Sequence, residues 1–381
     1  MKPSTLEQPA AWLDERIAAL QGENADVYSA AGRVLAVPVG ISGDHPRVPI
    51  AAVDGFALAA GETVGASDYN PLPFRVSETG VAHAGSSRAF PVTSGQALPD
   101  GVDTVIPLEE TDHRGGMLDI YTPLAAGNNI VPAGREARSG ETMLEMGRRL
   151  RAADAALLMA LGFATVPVVG RPRVAVVVAR DDVPDASGTL VRTLAAMDGG
   201  IVADPVYPVH SGLSAALVRP DADLVLVIGG SGLGSNDHAA DALAAAGEMV
   251  FRGVAINPGE TTTIGEVRDT PVIILPGPPL AALFAYDLIA GRAVRRLAGR
   301  DTALPYGTRR VTLARKIASG LGRMDCCRVR VSGDRAEPLA VSDNRTLSTA
   351  VRADGFVLIT EQSEGYAEGA EVVVYLYDQR F

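Results

Sequence analysis

Three short apolar runs, at residues 174–178, 224–228 and 272–275, restrict the folding of this chain more than any other feature. None alternates apolar with polar residues, so each reads as a strand covered on both faces, the situation of a parallel sheet sandwiched by helices. Ala/Leu-rich segments near 187–197, 237–246 and 280–297 follow the runs and read as the covering helices. This alternation from residue 173 to residue 300 predicts an α/β domain with a parallel-type sheet.

The flanking sequence has a different texture. Residues 5–20 place Leu6, Trp12, Leu13, Ile17 and Leu20 on one helical face, with Ser4 or Thr5 as a cap, and a second helical pattern runs from 152 to 161 and ends at Gly162. Between 37 and 123, Gly, Pro, Ser and Thr separate short β-type runs such as 74–76 and 103–106, which predicts a β-rich unit with many turns. After Gly299, β-type segments at 309–313, 328–331, 356–360 and 371–376 read as a small β-barrel or sandwich. No fixed-period repeat and no low-complexity tract interrupts this order.

Composition narrows the class. A length of 381 residues accommodates about two to four domains. The 34 basic and 45 acidic side chains give a net charge of −11, which argues against a general nucleic-acid binder. The only lysines are Lys2 and Lys316, so arginine must supply nearly every cation. Cys326 and Cys327 are adjacent, a spacing poorly suited to an ordinary disulfide and simplest to reconcile with a reducing compartment. The first residues lack the pattern of a secretory signal, and no apolar run reaches the ~18 to 20 residues that span a bilayer. The expectation is a soluble, cytoplasmic protein without a membrane or nucleic-acid partner.

The strongest local pattern is the run 224–228 leading into Gly229-Gly230-Ser231-Gly232-Leu233-Gly234-Ser235-Asn236-Asp237 and then a helix. Glycines permit close backbone approach to an anion, and Ser231, Ser235 and the helix amides can donate to it. A phosphate cradle and a plain strand-to-helix turn capped by Asn236 or Asp237 remain equal alternatives, but no Gly-Lys-Ser/Thr follows and a Walker A loop is excluded. A second turn, Pro276-Gly277-Pro278-Pro279, also ends a strand, placing both turns on the carboxyl edge where open α/β sheets bind ligands. Between them lies Asn257-Pro258-Gly259-Glu260, followed by three threonines: a further donor turn or a plain loop. In the first half, Asp54 sits in Val53-Asp54-Gly55-Phe56-Ala57 and Ser94 opens the stretch 94–105. Asp181 and Asp182 follow a strand where carboxylates can hold Mg²⁺, although such a pair is more often a cap or a loop. The five histidines are scattered, which disfavours zinc.

In their order, these pieces resemble the molybdopterin molybdenumtransferase family, which includes bacterial MoeA and the E domain of gephyrin. Residues 53–57 resemble its Met-Asp-Gly-Tyr-Ala, residues 94–105 its Thr-Gly-x-x-Leu-Pro-x-Gly-Ala-Asp-x-Val, and residues 229–237 its Gly-Gly-x-Ser-x-Gly-x-x-Asp. Pro258-Gly259 stands for Lys-Pro-Gly-Lys and residues 275–279 for Leu-Pro-Gly-Asn-Pro. The resemblance implies Mg²⁺-dependent insertion of molybdate into adenylated molybdopterin with release of AMP. It also implies a homodimer, with a cleft between the α/β domain of one subunit and the β domain of the other, and an adenylyltransferase or a molybdoenzyme as partner.

The architecture so implied is α/β multidomain. A discontinuous helical linker domain takes 1–45 and 124–170, a β-rich inserted domain 46–123, a molybdopterin-binding α/β domain 171–300, and a C-terminal β-barrel 301–381. The resemblance assigns Asp54, Ser94, Asp182 and Asp237 to the magnesium, molybdate and nucleotide region, with Asp182 and Asp237 as metal ligands. It assigns Gly229, Gly230, Ser231, Gly234, Ser235, Pro258, Gly259, Pro276, Gly277 and Pro279 to cofactor binding, and Arg328 as a cation of the cleft. Departures are specific: both lysines of Lys-Pro-Gly-Lys are replaced, by Asn257 and Glu260, and His210-Ser211 stands where an aspartate is expected. Arg180 or Arg328 must then replace the lysines. Alternatives are a paralogue that binds molybdopterin or a partner enzyme without insertion, and a nucleotide or pterin hydrolase.

Overall fold

The computed structural model describes residues 3–78, 80–83, 85–179, 185–232, 238–341 and 346–380. The chain forms two compact units, a larger one of Met1–Ala36, Gly147–Met159 and Phe163–Phe381 and a smaller one of Val37–Met146 with Ala160–Gly162.

The larger unit begins with α1 (Glu7–Arg16) and β1 (Gly22–Asp26). The helix stops short of the predicted Leu20 because its last carbonyls are taken elsewhere. Arg296 donates to the carbonyl oxygens of Ile17 and Asp14 at 2.5 Å each, Ile17 is extended, and the Leu20 amide donates to Leu297.

The smaller unit is built on a six-stranded sheet. Its strands β2 (Gly55–Leu58), β3 (Leu72–Val76), β4 (Arg88–Val92), β5 (Thr104–Pro107), β6 (Asp112–Arg114) and β7 (Met117–Ile120) lie in the order β5-β2-β4-β3-β7-β6. Phe56, Leu58, Phe74, Leu118 and Ile120 fill one core, and Ala57, Val92 and Val105 a second. Gly55 is required here, since a Cβ on it would lie 2.0 Å from the Ile106 carbonyl oxygen across the β2–β5 pair.

The larger unit resumes with α2 (Ala152–Ala160) and β8 (Thr165–Val169), which pairs antiparallel with β1. There follow β9 (Arg173–Val178), α3 (Ala186–Met197), β10 (Ile201–Val202), α4 (Leu213–Ala216), β11 (Leu224–Ile228), α5 (Ala239–Ala246), β12 (Glu248–Arg252), β13 (Ile256–Asn257), β14 (Thr263–Val267) and β15 (Thr270–Leu275). The sheet order is β10-β9-β11-β15-β14-β12. The first four strands are parallel, as the apolar runs predict. Val174, Val176, Leu224 and Leu226 pack on the face that carries Val191 and Leu194 of α3, while Ala175, Val177, Val225 and Val227 pack with Leu213 of α4 and Leu243 of α5. Both faces are dry, which accounts for the missing alternation.

Beyond β15 the sheet turns antiparallel, an extension the sequence did not announce. Arg268 and Asp269 both have positive φ, the backbone a two-residue hairpin needs to connect β14 to β15. The predicted helix at 280–297 is α6 (Pro279–Ala285) and α7 (Gly291–Leu297) joined by a π-helical turn, Tyr286–Ala290.

The C-terminal strands β16 (Tyr306–Leu313), β17 (Met324–Ser332), β18 (Arg335–Val341), β19 (Gly355–Ile359) and β20 (Glu371–Arg380) pair in the order β17-β18-β16-β20-β19. β19 also pairs with β17, which closes a small barrel around Val311, Leu313, Val329, Val357 and Val374. Strand β13 leaves the α/β domain to lie parallel to β17, placing Asn257 beside Asp325.

A buried ionic cluster fastens the last strand to the α/β domain. Arg380 donates to Asp198 and to Asp287, Arg295 donates to Asp198 at 2.9 Å, and Tyr286 and Tyr306 donate to Asp198 and Asp287 respectively. Burial pushes the Asp287 carboxyl up to about 6 against the opposing influence of Arg380 and Tyr306.

Candidate functional site

Helix α3 after β9 covers one face of the sheet, α5 after β11 covers the other, and α6 after β15 returns to the first. The turn after β11 is therefore flanked by crevices on both sides, the position at which open α/β sheets hold ligands. Three turns meet there, and hydrogen bonds join them into one rim.

The first turn begins at Gly229 and Gly230, both at positive φ. The Gly229 amide donates to Leu275, and a Cβ on Gly230 would lie 3.0 Å from that of Ala239 at the start of α5. Packing against the start of α5 thus accounts for Gly230, and a positive φ favours glycine at both positions. Ser231 is buried, and its hydroxyl pairs at 2.8 Å with that of Thr261 in the second turn. Gly234, Ser235 and Asp237 lie outside the described residues, as do Arg180 and Asp182.

The second turn is Asn257 to Thr263. Gly259 has φ +130°, and a Cβ there would meet the Ile256 side chain at 2.9 Å. The Thr262 hydroxyl donates to the Gly259 carbonyl oxygen at 2.6 Å, tightening the loop. Asn257 is buried, with its amide donating to Asp325 Oδ1 at 2.5 Å. Asp325 also accepts from the Ser319 hydroxyl and pairs with Arg323, so this carboxylate is fully engaged. Glu260 is exposed, and its carboxylate accepts from the Gly259 amide at 3.1 Å. An exposed carboxylate at this loop repels an incoming oxyanion.

The third turn is Pro276 to Pro279, with Pro276 buried. Its Gly277 carbonyl accepts from the Ser187 hydroxyl at 2.6 Å, tying the start of α3 to the end of β15. Asp185 caps α3 by accepting from the Gly188 amide at 2.8 Å.

In the smaller unit the Asp54 carboxylate accepts the Ser94 amide at 2.7 Å, and the Ser94 hydroxyl donates to the Ala52 carbonyl oxygen at 3.1 Å. The structure thus brings together two residues separated by forty positions. Both are exposed, and positive φ at Gly95 turns the chain beside them.

Arg328 is 1% exposed and lines a small cavity of about 10 Å³ with Leu280, Phe284, Asp287, Cys326 and Tyr377. That space suits a single water, and it places this cation in the interior between the barrel and α6. Cys326 and Cys327 are free and buried. Burial pushes both thiols up, Cys327 to about 12, so neither is a thiolate at neutral pH.

Among the described residues no group of three or more His, Cys, Asp or Glu could hold a metal ion, and no helix is long and apolar enough to cross a membrane. Mg²⁺ ordinarily takes only one or two carboxylates and completes its shell with phosphate oxygens and water, and the two carboxylates expected to hold it, Asp182 and Asp237, lie outside the described residues. Sequence reading missed Thr261, Ser187 and Asp325 as partners of the three turns. Thr261 alone carried a signal, as one of the hydroxyls already noted beside Glu260.

Comparison with known proteins covers almost the whole chain. Residues 5–162 match the MoeA N-terminal region (domain I and II), 170–296 a probable molybdopterin binding domain, and 310–377 the MoeA C-terminal region (domain IV). A putative molybdopterin biosynthesis protein of Methanocaldococcus jannaschii is 26% identical over 97% of this chain and 95% of its own length. A molybdopterin molybdenumtransferase of Staphylococcus aureus is 26% identical over 71% of this chain and 70% of its own. The crystal structure of a molybdopterin biosynthesis MoeA protein from Pyrococcus horikoshii superposes with a TM-score of 0.78 at 27% identity, covering 98% of this chain and 99% of that one.

Proposed function

Because this chain belongs to the MoeA family, we propose that it inserts molybdate into adenylated molybdopterin in a Mg²⁺-dependent reaction that releases AMP. The observation that carries this reading is the joining of three turns on one sheet edge: Ser231–Thr261 links the first to the second, the Gly229 amide on the Leu275 carbonyl links the first to the strand end that opens the third, and Ser187–Gly277 ties α3 to the third. Such an edge presents backbone and hydroxyl groups to a pterin and its phosphate, while the rigid glycine and proline backbone holds their geometry.

In this reading Gly229, Gly230, Ser231, Gly234, Ser235, Pro258, Gly259, Pro276, Gly277 and Pro279 form the cofactor pocket. Asp54 and Ser94 serve the nucleotide and molybdate, with the Ser94 amide fixing the rotamer of Asp54. Asp182 and Asp237 hold Mg²⁺, which neutralises phosphate charge when bound. Arg328, being buried, acts by setting the potential of the interior behind α6. Arg180 is then the cation proposed to meet the oxyanion directly. The four-part domain division, the homodimer and the cytoplasmic location belong to the same proposal.

Asn257 and Glu260 favour a second reading. With one lysine position spent on Asp325 and the other reversed in charge, the chain could instead bind molybdopterin, or a partner enzyme, without inserting metal. Anaerobic incubation with adenylated molybdopterin, Mg²⁺ and molybdate separates the two. Insertion requires molybdate-dependent AMP release that Asp54→Ala and Asp237→Ala abolish, whereas a carrier binds the pterin tightly without turnover.

A further inference from the structure

The loop that follows β10 runs on beside β9. The Val206 amide donates to Val176, the Val178 amide donates to Val206, and the chain then reaches Tyr207 at the carboxyl edge of the sheet. Tyr207 is 56% exposed. Its ring is not loose, because the hydroxyl donates to Asp185 Oδ2 at 3.2 Å while the other oxygen of that carboxylate caps α3. Through Ser187 and Gly277 the same first turn of α3 is bound to the third turn of the rim. A fixed aromatic face thus stands on the edge where the three turns meet, within the residues matched by the molybdopterin-binding model.

We infer that Tyr207 is a contact residue for the pterin, stacking its ring on the flat pyrimidine ring of that heterocycle; this rests on the function proposed above. A phenol tethered by its hydroxyl offers a π-face at little entropic cost, and a flat conjugated heterocycle is the complementary ligand. Neither a phosphate nor molybdate gains from such a surface; adenine would stack equally well, but the function proposed above assigns the nucleotide to Asp54 and Ser94, so the ring left for Tyr207 is the pterin, and AMP is the control that tells the two apart.

The test measures dissociation constants of the full chain for adenylated molybdopterin and for AMP in anaerobic buffer, together with the unfolding midpoint of each variant. Tyr207→Ala is expected to weaken pterin-nucleotide binding about five- to tenfold and to leave AMP binding unchanged. Tyr207→Phe, which keeps the ring and loses the bond to Asp185, is expected to stay within about twofold of the parent. The inference is overturned if Tyr207→Ala binds the pterin nucleotide like the parent, if AMP binding falls equally, or if Tyr207→Phe loses as much as Tyr207→Ala. The last result would make the residue a helix-cap support. A parent protein that does not bind adenylated molybdopterin would overturn the functional reading along with this one, whereas tight parental binding insensitive to residue 207 would overturn this one alone.

Discussion

Replacing Arg380 with methionine removes the cation shared by Asp198 and Asp287 while keeping most of the buried side-chain volume. Asp198 retains Arg295 and Tyr286, while among the hydrogen bonds of the described residues Asp287 retains that of the Tyr306 hydroxyl. Breaking one side of a buried ion pair costs about 3–5 kcal/mol, and the expected loss at pH 8 lies in that range. The pH dependence gives the sharper test. In the parent, burial raises the Asp287 carboxyl from 3.8 to about 6, so the folded state holds its proton more tightly than the unfolded chain. Stability from this group is therefore greatest below 3.8, declines as pH rises to about 6, and is flat above, a span of about 3 kcal/mol. Without Arg380 the carboxyl rises further, and the variant avoids part of its penalty by keeping the proton. The deficit should thus be larger at pH 8 than at pH 5. Urea unfolding followed by the fluorescence of Trp12, the single tryptophan, reports on the larger unit alone. A deficit below about 1 kcal/mol at pH 8, or one that grows on acidification, would refute the reasoning.

Gly55→Ala would press a methyl group against the Ile106 carbonyl and should destabilise the smaller unit by about 3 kcal/mol, seen as early amide exchange in β2 and β5 with Trp12 unaffected. Asn257→Ala removes a donor from the buried Asp325 carboxylate and should cost about 1.5–3 kcal/mol in the same fluorescence assay. Glu260→Lys reverses the charge of the exposed loop and should tighten molybdate binding several-fold at low salt; calorimetry should show the gain vanishing near about 1 M salt, where the Debye length is about 3 Å.

The parallel strands were legible because burial on both faces leaves an unmistakable mark: 224–228 is all apolar, and the strand occupies those residues. The helix ending at Met197 and the short strands around Phe74 and Val105 were legible from periodicity and turn residues. What escaped depends on partners far away in sequence. The early end of α1 needs Arg296, some 280 positions distant, and the π-helical turn at Asp287 accompanies a carboxylate held by Arg380 from the last strand. At the site, the pairing of Asp54 with Ser94 was foreshadowed only by two separate motifs. The partnership of Asn257 with Asp325 had no local sign, because it arises from β13 crossing to the barrel.

The most direct test of the central claim incubates the parent chain anaerobically with adenylated molybdopterin, Mg²⁺ and molybdate, then measures AMP released and molybdenum retained on the pterin in the same sample. Insertion predicts that the two rise together in equal amounts and that neither appears when molybdate is omitted. Bound pterin carrying no molybdenum, or AMP released at the same rate without molybdate, would contradict it.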